Sequence, residues 1–404
     1  MKILLMSDDP GLSTGMGRVH REIGRGLKKK GFDIVSIGWF SAYWLEPWKE
    51  WKVYKTNNNY YSADIFDQVI CQENPDVVLT IGDPWMVSFI SDHLKCKARF
   101  LFQWVAYVPV DGEAYGGGIP PSWLTMIRDI DMIVAYTEYG RKALSKSVPD
   151  IAWRIEMIPH GVDMNVYKMF RKDDILKARR RLGIPDDFIV FLMVCRNQFR
   201  KNIPEFCKGW KLFKESGKAE KALFWPHMVF RDPMGWDLWD IFNKYDMKKD
   251  LVYLKEMAES SSNLDLIEES QLAVVYNMAD VVIMMAGEGF GLPTLEAMAC
   301  GKPVLALKHS ANIELVEGRG ELVEVLNYVT GGHSTERPIP SLEDLSNKLL
   351  RLYNNPKLRE EYGMKSLEFA RTLTWDIAIE KWCVLLNRVN NPFIEGEMIV
   401  ERIC

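Results

Sequence analysis

Short apolar runs alternate with amphipathic stretches along most of this chain. Ile3–Met6, Ile34–Ile37, Val77–Ile81, Phe100–Val105, Met132–Ala135 and Ile155–Ile158 each have the length of a buried strand. Between them apolar positions recur at helical spacing, as in Val19, Ile23 and Leu27. This alternation predicts βαβ units and parallel sheets. It resumes at Ile189–Val194, Leu251–Leu254, Val281–Met285 and Val304–Leu307. The two series are separated by Pro159-His-Gly-Val-Asp163 and a polar stretch to Asp187, which places a domain junction there. Gly331 to Pro340 reads as an exposed loop.

Composition adds limits rather than identity. A chain of 404 residues with 48% hydrophobic and 26% charged residues has material for two globular cores. A net charge of −4 gives no overall attraction to polyanions. The apolar run at Met1–Met6 is too short for a signal peptide and fits a first strand, and no apolar stretch approaches transmembrane length. The seven cysteines are scattered without a Cys-x-x-Cys pair, so neither a zinc site nor a disulfide framework is indicated. These features predict a cytoplasmic protein with reduced thiols.

The most specific chemistry lies at residues 286–301, Ala-Gly-Glu-Gly-Phe-Gly-Leu-Pro-Thr-Leu-Glu-Ala-Met-Ala-Cys-Gly. A buried-looking strand ends in a glycine-rich turn carrying Glu288, and a short helix follows with Pro293 at its first position and Glu296 in its first turn. Gly287, Gly289 and Gly291 let the backbone approach a ligand closely. Phosphates would sit on the helix N-terminus, with the glutamates accepting hydrogen bonds from hydroxyls on either side. Hydroxyls, then phosphates, then hydroxyls describe a nucleotide sugar. The competing readings are an acid–base pair and a solvated corner.

The string Glu288-Gly-Phe-Gly-Leu-Pro-Thr-Leu-Glu296-Ala-Met-Ala-Cys-Gly-Lys-Pro-Val resembles the signature of the group 1 family of retaining glycosyltransferases. The resemblance implies the GT-B architecture, an α/β fold of two Rossmann-like domains whose parallel sheets face a central cleft. It implies that Glu288 contacts the donor sugar, that Glu296 holds the ribose, and that backbone from Gly289 through Phe290, Gly291, Leu292 and Pro293 to Thr294 touches sugar and phosphates. In relatives a terminal helix returns to the first domain. The expected division is therefore 1–163 plus 376–404 for the acceptor domain and 164–375 for the donor domain. Closure about the linker near Asp163 is expected to assemble the site.

Other segments are read beside this motif. Cys195-Arg-Asn-Gln-Phe-Arg-Lys-Asn202 puts three cations beyond a strand end. The family carries an arginine and a lysine there for the diphosphate, and Arg196 and Lys201 match best, with Arg200 able to substitute. The loop Pro10–Gly17 does not fit a dinucleotide fingerprint; relatives have a glycine-rich loop here over the donor phosphates and acceptor, which marks Gly15 and Gly17. Arg18, on the helix behind it, is an acceptor-side candidate with a solvated face as the alternative. Many relatives place a histidine near the end of the strand around Phe102–Glu113, where this chain has none, so Asp111 becomes a candidate for acceptor contact. Asp83 ends another strand on the same rim, and a capping role is the commoner use of either aspartate. His160 and Asp163 match the family's sequence after the sixth strand; a loop histidine bonded to nearby backbone is equally compatible. Trp39–Tyr54 packs seven aromatics into sixteen residues, which suits sugar faces, unpaired bases, a membrane interface or simple packing.

The expected activity is transfer of a sugar from a nucleotide-diphosphate sugar to an acceptor hydroxyl with retention of anomeric configuration. No cofactor or metal is expected, because no Asp-x-Asp motif stands where a metal-dependent transferase would need one. The acceptor class spans glycan, lipid-linked and small-molecule hydroxyls. The rivals are a modified base in DNA as acceptor, a nucleotide-sugar epimerase of the same architecture, and a non-catalytic sugar- or partner-binding protein.

Overall fold

A computed structural model describes residues 1–41, 47–56, 61–96, 102–260 and 267–390. The chain divides into two compact units, Met1–Gly161 with the segment from Trp375 onward, and Val162–Thr374.

The first unit is built on seven parallel strands: β1 (Lys2–Asp8), β2 (Asp33–Trp39), β3 (Lys52–Lys55), β4 (Val77–Ile81), β5 (Gln103–Val108), β6 (Met132–Ala135) and β7 (Ile155–Met157). Their order is β3-β2-β1-β4-β5-β6-β7. Parallel strands covered on both faces need apolar side chains in both directions. Hence β4 and β6 are buried along their whole length. Helix Gly15–Lys29 buries Val19, Ile23 and Leu27. Its other contact is the helix Trp375–Asn390: a Cβ at Gly26 would come within 2.3 Å of the Ile379 side chain, so only glycine permits this approach. The same terminal helix ties Arg388 to Glu156 at 2.6 Å and packs Trp382 against Tyr107.

The second unit holds β8 (Ile189–Val194), β9 (Ala222–His227), β10 (Val281–Met284), β11 (Val304–Leu307) and β12 (Glu321–Val323), again parallel, in the order β12-β11-β10-β8-β9. A separate antiparallel hairpin joins β13 (Val325–Thr330) to β14 (Glu336–Pro340). Phe191, Trp210, Phe213 and Phe224 anchor the core on one face of the sheet.

Several expected elements differ. The run Phe100–Val105 begins outside the described residues, and the strand there is displaced toward the carboxyl end, as β5. Leu251–Leu254 makes one bridge, Phe224 to Leu251, and is not a strand. The expected loop before Pro340 contains β14, whose two prolines sit on a two-stranded hairpin where a missing N–H costs no interior ladder bond. β9 carries Pro226 and lies at the end of the strand order, where proline is tolerated.

Candidate functional site

In the second unit the strand order reverses between β8 and β10, since β9 lies on one side and β11 and β12 on the other. Ligands of open parallel sheets bind beyond the carboxyl ends of strands at such a point. The Cys195–Asn202 segment follows β8, and the Glu288 turn follows β10. Both expected constellations therefore meet at one rim.

The turn from Met285 to Glu288 is strapped down by side chains distant in sequence. Asn202 Nδ2 donates to Met285 O at 2.8 Å, and Asn312 Nδ2 donates to Ala286 O at 2.7 Å. Arg200 Nη1 reaches Gly287 O at 3.3 Å. Ser310 closes the strap by accepting from Glu288 N at 2.9 Å and donating to Glu288 O at 3.0 Å. These carbonyls point into a buried region, where each requires a partner. Asn202 and Ser310 themselves hold positive φ, 52° and 47°, so the strap uses backbone conformations uncommon outside glycine.

Gly291 starts the following helix, Leu292–Ala299, at φ 95°, a conformation that costs other residues steric strain. Pro293 is at the second helical position rather than the first, and Glu296 stands in the second turn rather than the first. Thr294 is fully buried and its Oγ1 has no hydrogen-bond partner among the described residues. Glu296, 2% exposed, accepts a hydrogen bond from Tyr276 Oη at 2.8 Å. Phe290 is buried.

The cations are arranged around carboxylates. Lys201 Nζ donates to Glu288 Oε1, and both side chains are about nine-tenths buried. Arg200 Nη1 lies 3.7 Å from Glu288 Oε2 and is one-third exposed. Arg196 pairs through Nε with Asp232 Oδ2 at 2.8 Å; the aspartate is fully buried while the guanidinium is half exposed. Asp232 also accepts from Met234 N at 2.9 Å, so the loop after β9 fixes Arg196 from below. Asn197 bonds that loop through Trp236 O at 2.7 Å and Trp236 N at 3.2 Å. Cys195 at the same rim is no nucleophile at neutral pH, because burial pushes its thiol up to about 11. Neither Ser310, Asn312, Tyr276 nor Asp232 stood out in the sequence. Their signal is a contact with the motif, which spacing alone does not carry.

The remaining predicted residues lie in the first unit. Gly15 and Gly17 fall in the first turn of helix Gly15–Lys29, where Thr14 caps by accepting from Gly17 N at 3.0 Å. A Cβ on Gly17 would meet Leu12 O at 2.8 Å and Asp9 O at 2.9 Å, so the loop closes onto this glycine. Arg18 is half-buried in the same turn. Asp83 is half-buried and precedes the helical turn Pro84–Val87 without a side-chain capping bond. Asp111 is half-buried in the loop after β5. His160 is 3% exposed and shares a 2.7 Å hydrogen bond between its Nδ1 and Tyr107 Oη. It sits among Tyr107, Tyr136 and Trp375, and burial pushes its imidazole down to about 3, so it is neutral. Of the aromatic segment, Trp39, Phe40, Trp48, Trp51 and Tyr54 are described and Trp51 is buried against Gly24, while Tyr43 and Trp44 lie outside the described residues.

Comparison with known proteins bears on this site. Residues 174–368 match the family described as glycosyl transferases group 1, a span that contains every motif of the second unit above. The chain is 26% identical over 283 residues to the D-inositol 3-phosphate glycosyltransferase of Actinosynnema mirum, covering 67% of this chain and 60% of that protein. Other curated relatives are spanned to a smaller share of their length, in one case 24%. Among solved structures, sucrose-phosphate synthase from Thermosynechococcus elongatus superposes with a TM-score of 0.73 at 17% identity, covering 96% of this chain and 99% of the other. The Anabaena protein HepE in complex with UDP and glucose gives 0.71 at 15% identity, with the same coverage. At such identities the likeness establishes the fold, which is GT-B.

Proposed function

We propose that this chain is a group 1 glycosyltransferase that transfers a sugar from a nucleotide-diphosphate sugar to an acceptor hydroxyl with retention of anomeric configuration. The observation that carries the reading is the strapped Glu288 turn beside Lys201, Arg200 and Arg196 at the switch point of the second unit. Glu288 is the group for the sugar, Glu296 for the ribose, and the helix start at Gly291–Thr294 for the phosphates. Phosphate near that helix start meets peptide dipoles and the Thr294 hydroxyl, which has no partner among the described residues.

The arrangement supports a reaction in which protein cations carry the leaving-group charge. Lys201 supplies three N–H donors, of which Glu288 occupies one, leaving donors for a phosphate oxygen. The half-exposed Arg196 guanidinium, held by Asp232, and Arg200 are positioned before the ligand arrives. Such preorganised charge lowers the cost of cleaving the bond between sugar and diphosphate. On this reading no metal is needed, and the acceptor hydroxyl attacks from the face the diphosphate leaves. Two structural relatives crystallised with UDP or UDP-linked glucose make a uridine diphosphate sugar the first donor to test.

The test is transfer from UDP-glucose and other nucleotide sugars to a panel of hydroxyl acceptors, with the anomeric configuration of the product read by NMR and with chelator present. Retained configuration and unchanged activity in chelator are expected. Inversion, metal-reversible inhibition, or release of an epimerised sugar without acceptor would each replace this reading.

A further inference from the structure

The outer strands of the two large sheets each carry a device against pairing with another chain. β3 is four residues long with lysine at both ends, β7 and β12 have three residues each, and β9 contains Pro226. Short, cationic or proline-bearing edges are the usual protections. β13 has none of them. Its six residues, Val-Leu-Asn-Tyr-Val-Thr, include no proline, and no Asp, Glu, Lys or Arg occurs from Val325 to Thr335. Every residue from Leu326 to Thr330 is exposed. Tyr328 and Val329 follow one another and so point to opposite faces, yet each is 49% exposed. Uncharged apolar positions on both faces are the pattern of an interior strand. Among the described residues, however, β13 pairs with β14 alone.

The register of the hairpin fixes which backbone groups face outward. Gly331 N donates to Thr335 O at 2.8 Å. Bonded pairs alternate along an antiparallel ladder, so Val329–Arg337 and Asn327–Ile339 are bonded pairs too. The even-numbered residues between them turn their N–H and C=O to the outer edges. On β14 that edge is closed: Pro338 has no N–H, and its carbonyl accepts from Asn202 Nδ2 at 2.8 Å. On β13 no further strand covers it. An antiparallel strand is its own complement about a two-fold axis, and an uncharged one meets its copy without like-charge repulsion. A foreign strand would find no charge here to select it. We infer that β13 pairs antiparallel with β13 of a second copy of this chain, joining two hairpins into one four-stranded sheet. A two-stranded hairpin is marginal by itself, and the shared sheet stabilises both. Because the β14 edges are closed, pairing stops at two copies instead of growing into a filament. This surface stands whether or not the glycosyltransferase reading holds.

Sedimentation equilibrium of the full chain from about 1 to 500 μM tests the pairing; one strand pair is a small interface, so a micromolar dissociation constant is expected. Leu326→Lys, Val329→Lys and Val329→Glu place like charges across the axis at exposed positions. Each should weaken the dimer about tenfold while leaving the melting temperature of the dilute monomer unchanged. An equal mixture of Val329→Lys and Val329→Glu should dimerise to within about threefold of the parent, because odd-numbered residues of both copies share one face. If a Val329 variant fails to fold, Leu326→Lys carries the comparison. A parent chain that stays monomeric over the whole range would overturn the inference, in favour of a strand from another protein or of no partner. A dimer that the folded charge variants leave unchanged, or a mixture no tighter than either variant alone, would overturn it as well.

Discussion

Tyr276 Oη donates a 2.8 Å hydrogen bond to Glu296 Oε2, joining two buried side chains on the helices that flank β10. The bond fixes the carboxylate that is proposed to hold the donor ribose.

Tyr276→Phe keeps the ring in its packed position and removes only this donor. A hydrogen bond to a charged group is worth about 1.5–3 kcal/mol. UDP affinity should therefore fall by about tenfold or more, while a 2′,3′-dideoxy analogue should lose little. Calorimetric titration with both nucleotides gives the comparison, and equal losses would show that the tyrosine acts through general packing.

Glu288 has two jobs, and substitutions separate them. Glu288→Ala leaves the Lys201 ammonium buried without its carboxylate, and breaking a buried pair in this way costs about 3–5 kcal/mol. Glu288→Gln in a Lys201→Met background should recover most of the melting temperature yet be less active than Lys201→Met alone by about a hundredfold or more. Substantial transfer by that folded double variant would end the assignment of Glu288 to the donor sugar.

Arg196 and its anchor should behave alike. Arg196→Ala removes a half-exposed guanidinium, and Asp232→Asn releases it from the fully buried carboxylate that aims it. Both should weaken UDP binding by about tenfold and uridine binding by less than about twofold. Loss of uridine binding to the same extent would place Arg196 away from the phosphates.

Acid should destabilise the protein through its buried histidines. Burial pushes His20 down to about 4, His160 to about 3 and His227 to about 4, each below the ordinary histidine value of 6.5. Between these values the unfolded chain binds more protons than the folded one. The stability they supply is therefore complete above the unfolded value and is lost as pH falls toward the folded ones. Each contributes a slope of up to about 1.4 kcal/mol per pH unit. Denaturant unfolding of His160→Phe should show a shallower acid loss than the parent; the same slope in both would mean His160 does not resist protonation in the fold.

The alternation of apolar runs with helical patterns was sufficient to read the inner strands of both parallel sheets, because strands buried on both faces must be continuously apolar. β4, β6, β8 and β11 lie where those runs lie. β9 and β14 escaped for the opposite reason: Pro226, Pro338 and Pro340 are permitted only by the ends and edges they occupy, and an edge is a property of the assembled sheet. The glycine motif from Gly287 to Gly291 and its two glutamates were legible, since a close backbone turn leaves a local sequence requirement. What the sequence by itself determined is thus the fold class and the local chemistry of the Glu288 turn. Only the tertiary structure decided that Lys201 meets Glu288 across 87 positions, that Tyr276 orients Glu296, and that Ser310 and Asn312 strap the turn. Those pairings satisfy buried polar groups, and a partner for a buried group is chosen by proximity in the folded chain, where sequence separation carries no information.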